Sequence, residues 1–384
     1  MAESGIRQLT GRFSRITSGG RFIPEIDGLR FLAISSVMLF HVATSLSRAH
    51  GWPEHTEQMA VSGVMGRGAL GVELFFAISG FILALPFARE YLYQEQPVDR
   101  RRYYLRRLTR LEPPYIAVLI IVYCAAWLTH EPTLHGRFFS TFFVRLFYLY
   151  GLVYQDAPTV NGVTWSLEIE VQFYLLMPLL ALVFRIPAKA RRLGLVLLVI
   201  FLPAATFYHG VLRFSLLSQL PLFLAGIVFA DFYLLMRQRG FAAVPWNDLC
   251  AISLLVLVLI LPLTIDEVRR VLPGVILCFL LFMFNGVWLR RFFSWKPVYL
   301  VGGMCYSIYL LHYPLIAAAA RWLGHLKVYP EYWLAVLLLS VLWLPVVVAI
   351  SAVFFMLIER PCMDPAWPRK LWARLKGASP LPNR

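Results

Sequence analysis

The chain has 384 residues, is 59% hydrophobic, carries 15% charged residues and has a formal net charge of +15. Soluble domains hold about 25% charged residues, and the apolar residues here fall into long runs, so composition excludes an ordinary soluble globular domain. The surplus of Lys and Arg sits in loops and ends beside those runs, without any nucleic-acid-binding motif; it points to membrane topology and not to DNA or RNA.

Residues 1–28 are polar and basic. The apolar core of a signal peptide would come sooner, so an uncleaved cytoplasmic segment is expected. Apolar runs then begin near Leu29, Ala69, Pro114, Phe138, Trp165, Leu193, Phe214, Leu249, Val271, Val298 and Tyr332. The fourth, Phe138 to Tyr154, is short for a span and holds Arg145. If every run crosses, Lys and Arg divide nearly evenly between the two sides. If the fourth stays in an outer loop or re-enters, about three-quarters of them fall on the side of the N-terminus, as loop charge requires of a cytoplasmic face. The sequence therefore predicts an all-α, polytopic transmembrane helical bundle of about ten spans, with one extra re-entrant or outer-loop apolar segment and both termini cytoplasmic. Residues 29–358 form its transmembrane domain, 1–28 and 359–384 its basic cytoplasmic ends, and no soluble domain is expected beyond them. No internal repeat is visible, which weighs against a transporter built from inverted halves. The five cysteines, Cys124, Cys250, Cys278, Cys305 and Cys362, are scattered without metal-ligand spacing, and no metal site is expected.

Ionisable residues inside apolar runs are costly and mark candidate sites. Arg30 and His41 share one helix face and lie roughly 16 Å apart along the axis. That puts Arg30 at the cytoplasmic surface and His41 deep, with no charge between them. A neutral imidazole takes a proton from a hydroxyl near neutral pH, so a general base is its natural role; a histidine bonding two helices together is the alternative. The fifth run opens Trp165-Ser166-Leu167-Glu168-Ile169-Glu170. Its two carboxylates point about 200° apart on a helix and cannot share a site. Glu168 suits a first-turn acid favoured by the helix dipole, which leaves Glu170 as the candidate. His312 lies about 21 Å into its run, close before Pro314, as a second candidate or a kinked helix end. Phe75 to Phe81, with Ser79 and Gly80, reads as close helix packing at mid-span. Arg100, Arg101, Arg102, Arg106, Arg107 and Arg110 precede Pro113-Pro114-Tyr115. They read either as a topology and lipid signal or as a phosphate clamp, in which Arg106, Arg107 and Arg110 fall on nearby helical positions.

Taken together, these segments resemble the acyltransferase 3 family of integral membrane O-acyltransferases, from Ile26 to Pro361. The resemblance is carried by Ile26 to Arg30 followed by His41; by Gly71 to Phe76 with Ser79-Gly80-Phe81; and by Leu105 to Leu111 with Pro113-Pro114-Tyr115. Trp165-Ser166-Leu167 with Glu170 and Gln172-Phe173-Tyr174, Tyr306 to Pro314, and Glu359-Arg360-Pro361 complete it. Three departures stand out: Glu73 occupies a position where Asp is usual, Glu168 one where a small residue is common, and Val171 one where a second Glu is common. The resemblance implies an enzyme of a bacterial inner membrane. It would move an acyl group, most often acetyl, from cytoplasmic acyl-coenzyme A to a hydroxyl of a carbohydrate, lipid-linked glycan or glycoside. Acyl-coenzyme A is then a donor substrate, and no bound cofactor is expected. The implied roles are catalysis for His41 and Glu170 and donor binding for Arg30, Arg102, Arg106, Arg107 and Arg110, with Asp27, Ser79, Tyr306 and His312 lining the cavity. The competing expectation is a proton-coupled transporter or glycolipid flippase, with buried His and Glu as a proton relay.

Overall fold

The computed structural model of the protein describes residues 22–50, 64–129, 137–156, 160–206, 214–261, 264–325 and 332–364, with Trp367 and Trp372. Regular structure among them is helical throughout. A helix satisfies its own backbone groups, which is what a chain this apolar requires in lipid. The main helices are α1 (Pro24–His50), α2 (Gly71–Tyr93), α3 (Arg100–Leu128), α4 (Phe138–Leu146), α5 (Tyr150–Tyr154), α6 (Trp165–Leu180) and α7 (Ala188–Thr206). They continue with α8 (Leu216–Arg239), α9 (Pro245–Ile260), α10 (Ile265–Phe284), α11 (Trp288–Phe293), α12 (Lys296–Gly303) and α13 (Cys305–His325). The last, α14, runs Tyr332–Cys362 and contains two π-helical stretches, Leu339–Trp343 and Phe355–Glu359.

Among the described residues six helices are long and apolar enough to cross a membrane, or seven when α12 and α13, bent 70° apart, count as one span. This is fewer than the ten expected. One reason is length: α9 is apolar but has only 16 residues. The run 138–154 does not form one helix. It breaks into α4 and α5 around Arg145, which is 1% exposed. The Arg145 guanidinium donates to the Val160 carbonyl and, at 2.8 Å, to Thr164 Oγ1. The Tyr115 hydroxyl donates to the Arg145 carbonyl at 2.9 Å. A buried guanidinium needs such acceptors, and here they come from a loop, so the run folds back on that loop.

The centre of the bundle is the seam between α2 and α8. Gly80 lies against the backbone of Phe223, and Gly226 against Ala77 O and the Phe81 nitrogen. A side chain at either position would strike backbone, so the reading of Ser79-Gly80-Phe81 as a packing element holds for Gly80. Gly226→Val is expected to lower thermal stability in detergent. Overpacking of this kind costs typically about 1–3 kcal/mol; an unchanged melting temperature would show that the seam yields. On the other flank α1 packs along α12 and α13, with Gly28 against the Phe293 backbone and Gly302 against Asp27 O.

Charges between helices are paired. Arg191 and Arg192 both reach Asp231 at 2.8 Å, joining α7 to α8. Arg269 of α10 meets Glu73 of α2 at 3.0 Å, and Arg290 of α11 meets Glu25 of α1 at 3.0 Å. The buried Asp248 carboxylate accepts the backbone N–H groups of Val287, Trp288 and Leu289, at 2.8 to 3.1 Å, and so caps the start of α11. At the bend before α13, Glu359 accepts from the Ser307 N–H at 3.0 Å and from the Ser307 hydroxyl at 2.5 Å. The carboxylate of the last helix thereby holds the first turn of α13 in place.

Candidate functional site

A cavity of about 300 Å³ lies between α1, α2, α3, α6 and α13. One stripe of α2 runs along it: Val72, Phe75, Phe76, Ser79, Ile82, Leu83, Pro86 and Arg89. The spacing of three and four is a single helix face, and from Val72 to Arg89 it extends roughly 25 Å. The cavity is therefore elongated and spans much of the thickness of a bilayer.

Five arginines line it: Arg30 from α1, Arg89 from α2, and Arg106, Arg107 and Arg110 from α3. Arg30 pairs with Asp27 at 2.6 Å, and Arg110 lies 3.8 Å from Glu359. Arg107 sits over the rings of Tyr103 and Tyr174, with its guanidinium carbon 5.1 and 5.8 Å from their centroids. The Nε atoms of Arg106 and Arg107 are buried and make no hydrogen bond among the described residues. The cavity thus gathers five guanidinium groups along one wall, the arrangement that suits a multiply charged anion such as a phosphate ester.

Beyond the arginines the wall turns to hydroxyls and one carboxylate. Ser79 of α2 donates to Glu170 Oε1 of α6 at 2.5 Å, and Tyr174, one turn along α6, is within electrostatic reach of the same carboxylate. Tyr309 of α13 donates to Val163 O at 2.5 Å and lies 3.0 Å from the Ser166 hydroxyl. Tyr306 donates to Leu111 O at 2.9 Å, tying α13 to α3 at the level of Arg110. Glu168 faces away, accepting from the Gly151 N–H at 2.8 Å, so the two carboxylates of α6 are separated as their helical angle requires.

The two candidate histidines lie together. His41 of α1 and His312 of α13 have ring centroids 5.2 Å apart, and Tyr313 packs on His41 at 5.0 Å. His312 is fully buried, with Nδ1 2.8 Å from Tyr309 O and 3.0 Å from Ile308 O. Its Nε2 is buried and has no partner among the described residues. The His312 ring stands 6.2 Å from that of Tyr309. The histidines therefore sit one turn of α13 past the cavity wall, with Tyr309 between.

Of the residues singled out from sequence, Asp27, Arg30, Ser79, Arg106, Arg107, Arg110, Glu170 and Tyr306 all line the cavity. His41, His312 and Arg102 do not. Arg102 lies one turn before Arg106 and is exposed, past the rim. His312 was expected to line the cavity; its ring is instead turned onto its own helix by the two carbonyls, against His41. The Arg30 side chain is 13% exposed and within electrostatic reach of Glu170. Arg89 was missed. It continues the stripe of Ser79, Ile82 and Pro86, and extending that spacing by one turn would have found it.

The family profile of an acyltransferase domain matches residues 23–358. Peptidoglycan O-acetyltransferase OatA of Listeria monocytogenes is 25% identical over 401 residues, covering 92% of this chain and 57% of that protein. O-acetyltransferase OatA of Staphylococcus aureus strain NCTC 8325 is 27% identical over 329 residues, covering 77% of this chain and 51% of that protein. The chain thus spans about half the length of the curated relatives it matches. No solved structure matches.

Proposed function

Because the chain belongs to the acyltransferase domain family, we propose that it is a membrane O-acyltransferase. It moves an acyl group, in the first instance acetyl, from cytoplasmic acyl-coenzyme A to a hydroxyl of a carbohydrate, lipid-linked glycan or glycoside. The observation that carries this reading is the single cavity that joins five arginines to the Ser79–Glu170 pair. About 300 Å³ is at the lower end for a small-molecule site. It suits the acyl end and the arm of the donor, with the nucleotide phosphates left among the arginines at the mouth. The relatives' names, O-acetyltransferase and peptidoglycan O-acetyltransferase, support acetyl as the group and an envelope glycan as the class of acceptor.

In the reaction the acceptor oxygen attacks the thioester carbonyl. The ester C–O bond forms, the C–S bond breaks, and the proton of the hydroxyl passes through His41 to the departing thiolate. Glu170, held by Ser79, orients the acceptor in the cavity. His41 is reached past Tyr309. The proposal includes ten spans in a bacterial inner membrane, with both termini and the arginine mouth cytoplasmic.

The test is mass spectrometry of envelope glycans and small glycosides from cells with and without this protein, together with acyl-coenzyme A consumption by vesicles that contain it. An added acyl mass that depends on the protein and on the donor is the expected result. Movement of a glycolipid across the bilayer with no donor consumed would replace this reading by that of a flippase.

A further inference from the structure

We propose that His312 is a positioning residue, whose buried Nε2 accepts the N–H of His41 and so fixes which nitrogen of His41 is free to take a proton. The inference rests on the reading of His41 as the base and names the group that orients it.

The argument begins with the contacts of His312. Its Nδ1 lies 2.8 and 3.0 Å from two backbone carbonyls of α13. Carbonyl oxygens only accept, so Nδ1 must carry the proton. In a neutral imidazole the other nitrogen is then a lone-pair acceptor. Nε2 lies on the side of the ring away from Nδ1, and α1 is one of the helices packed against α13, with His41 as the neighbouring ring. Nε2 is shielded from solvent, unpartnered among the described residues, and belongs to a side chain that is 0% exposed.

A buried acceptor in that position calls for a donor. The Tyr309 hydroxyl is committed to Val163 O. The His41 ring, with its centroid 5.2 Å away and its plane tilted by 51°, carries an N–H of the right kind. At that centroid separation two imidazoles can meet nitrogen to nitrogen at hydrogen-bond distance. Once His41 donates one N–H to His312, its other nitrogen is obliged to hold the lone pair, which is the form a general base needs. The fixed point of the arrangement is the α13 backbone, so the tautomer of His41 is set by a helix and not by solvent. Orientation of a base by a third group, itself anchored, is the usual architecture of activated proton acceptors.

The test separates the two histidines. Solution or solid-state NMR of the full-length protein labelled with ¹⁵N-histidine reports the tautomer of each ring, with the His41 signal assigned by its loss in His41→Gln. Wild type is expected to show one tautomer at His41, and His312→Leu a mixture of two. In steady-state kinetics His312→Leu is expected to lower kcat roughly tenfold or more, the size of effect that loss of an orienting partner has at metal-bound imidazoles, while KM for acetyl-coenzyme A stays unchanged. His312→Gln, whose amide oxygen accepts, is expected to restore most of kcat and the single tautomer; it also serves as the probe if the leucine variant fails to fold. A His41 tautomer unaffected by His312→Leu, or by His312→Gln when only that variant folds and it loses kcat, overturns the proposal whatever happens to activity. Near-normal transfer by His41→Gln would instead remove the base reading and leave the tautomer result standing by itself.

Discussion

His41→Ala is expected to abolish acyl transfer at the level of an ordinary assay while the protein still inserts and elutes as a single species. A positioned acid–base group contributes roughly 10²–10⁴-fold in rate, or about 3–5 kcal/mol of barrier. Interhelical hydrogen bonds in membranes average only about 0.6 kcal/mol, so loss of the imidazole threatens the chemistry far more than the fold. His41 stands outside the arginine-lined wall, and half-saturation by the donor should be unchanged in any residual activity. His41→Gln keeps a polar side chain of similar reach without a titratable proton. Near-normal rates in that variant would return His41 to the role of a contact between α1 and α13.

The second large effect is expected at the mouth. The double change Arg106→Ala with Arg107→Ala should raise the acyl-coenzyme A concentration needed for half-maximal rate by at least tenfold, with the amount of protein in the membrane unaltered. Each hydrogen bond to a charged group is worth about 1.5–3 kcal/mol, and two guanidinium groups are removed. Arg107 also lies over Tyr174, which is within electrostatic reach of Glu170, so part of its loss should appear in kcat. Arg102→Ala is the control. Arg102 shares the cluster's sequence and charge but is exposed past the rim, and it should have the smaller effect. Equal effects at Arg102 and at the pair would mean that only the total positive charge beside the membrane matters.

Much of this site could be read along the chain because helical geometry is rigid over one or two turns. The separation of Glu168 from Glu170, the nearness of Arg106, Arg107 and Arg110, and the break of the run that holds Arg145 all follow from 100° per residue and from the cost of a charge in lipid. What the sequence withheld is how one helix faces another. Nothing in the run from Tyr306 to Pro314 says that His312 bonds its own carbonyls, or that Tyr309 ends up between Ser166 and the histidines. The 70° bend between α12 and α13 was equally hidden, since Gly302-Gly303-Met304 reads as well for a continuous apolar span. The bend is a tertiary matter: Gly302 lets α12 touch Asp27 O, and Glu359, far along the chain, fastens the turn after the break. Arg89 was legible in principle, on the stripe of α2, but its nearness to the basic loop let it pass as a topology signal.

The enclosure of Arg145 has a consequence for how the protein is made. The acceptors of its guanidinium, Val160 and Thr164, lie 15 and 19 positions later in the chain, whereas Tyr115, which binds its carbonyl, comes 30 positions earlier. As the chain leaves the ribosome the cation therefore appears after the Tyr123 ring it lies over, at 5.6 Å, but before its hydrogen-bond acceptors. An arginine at the centre of an inserting helix carries a penalty of about 2.5–3.5 kcal/mol, so this run is a poor candidate for insertion as a span. Its acceptors are complete only once Thr164 has emerged, and Trp165, the next residue, begins α6. Enclosing one guanidinium and starting the helix that carries Glu170 thus fall at the same point in the order of synthesis.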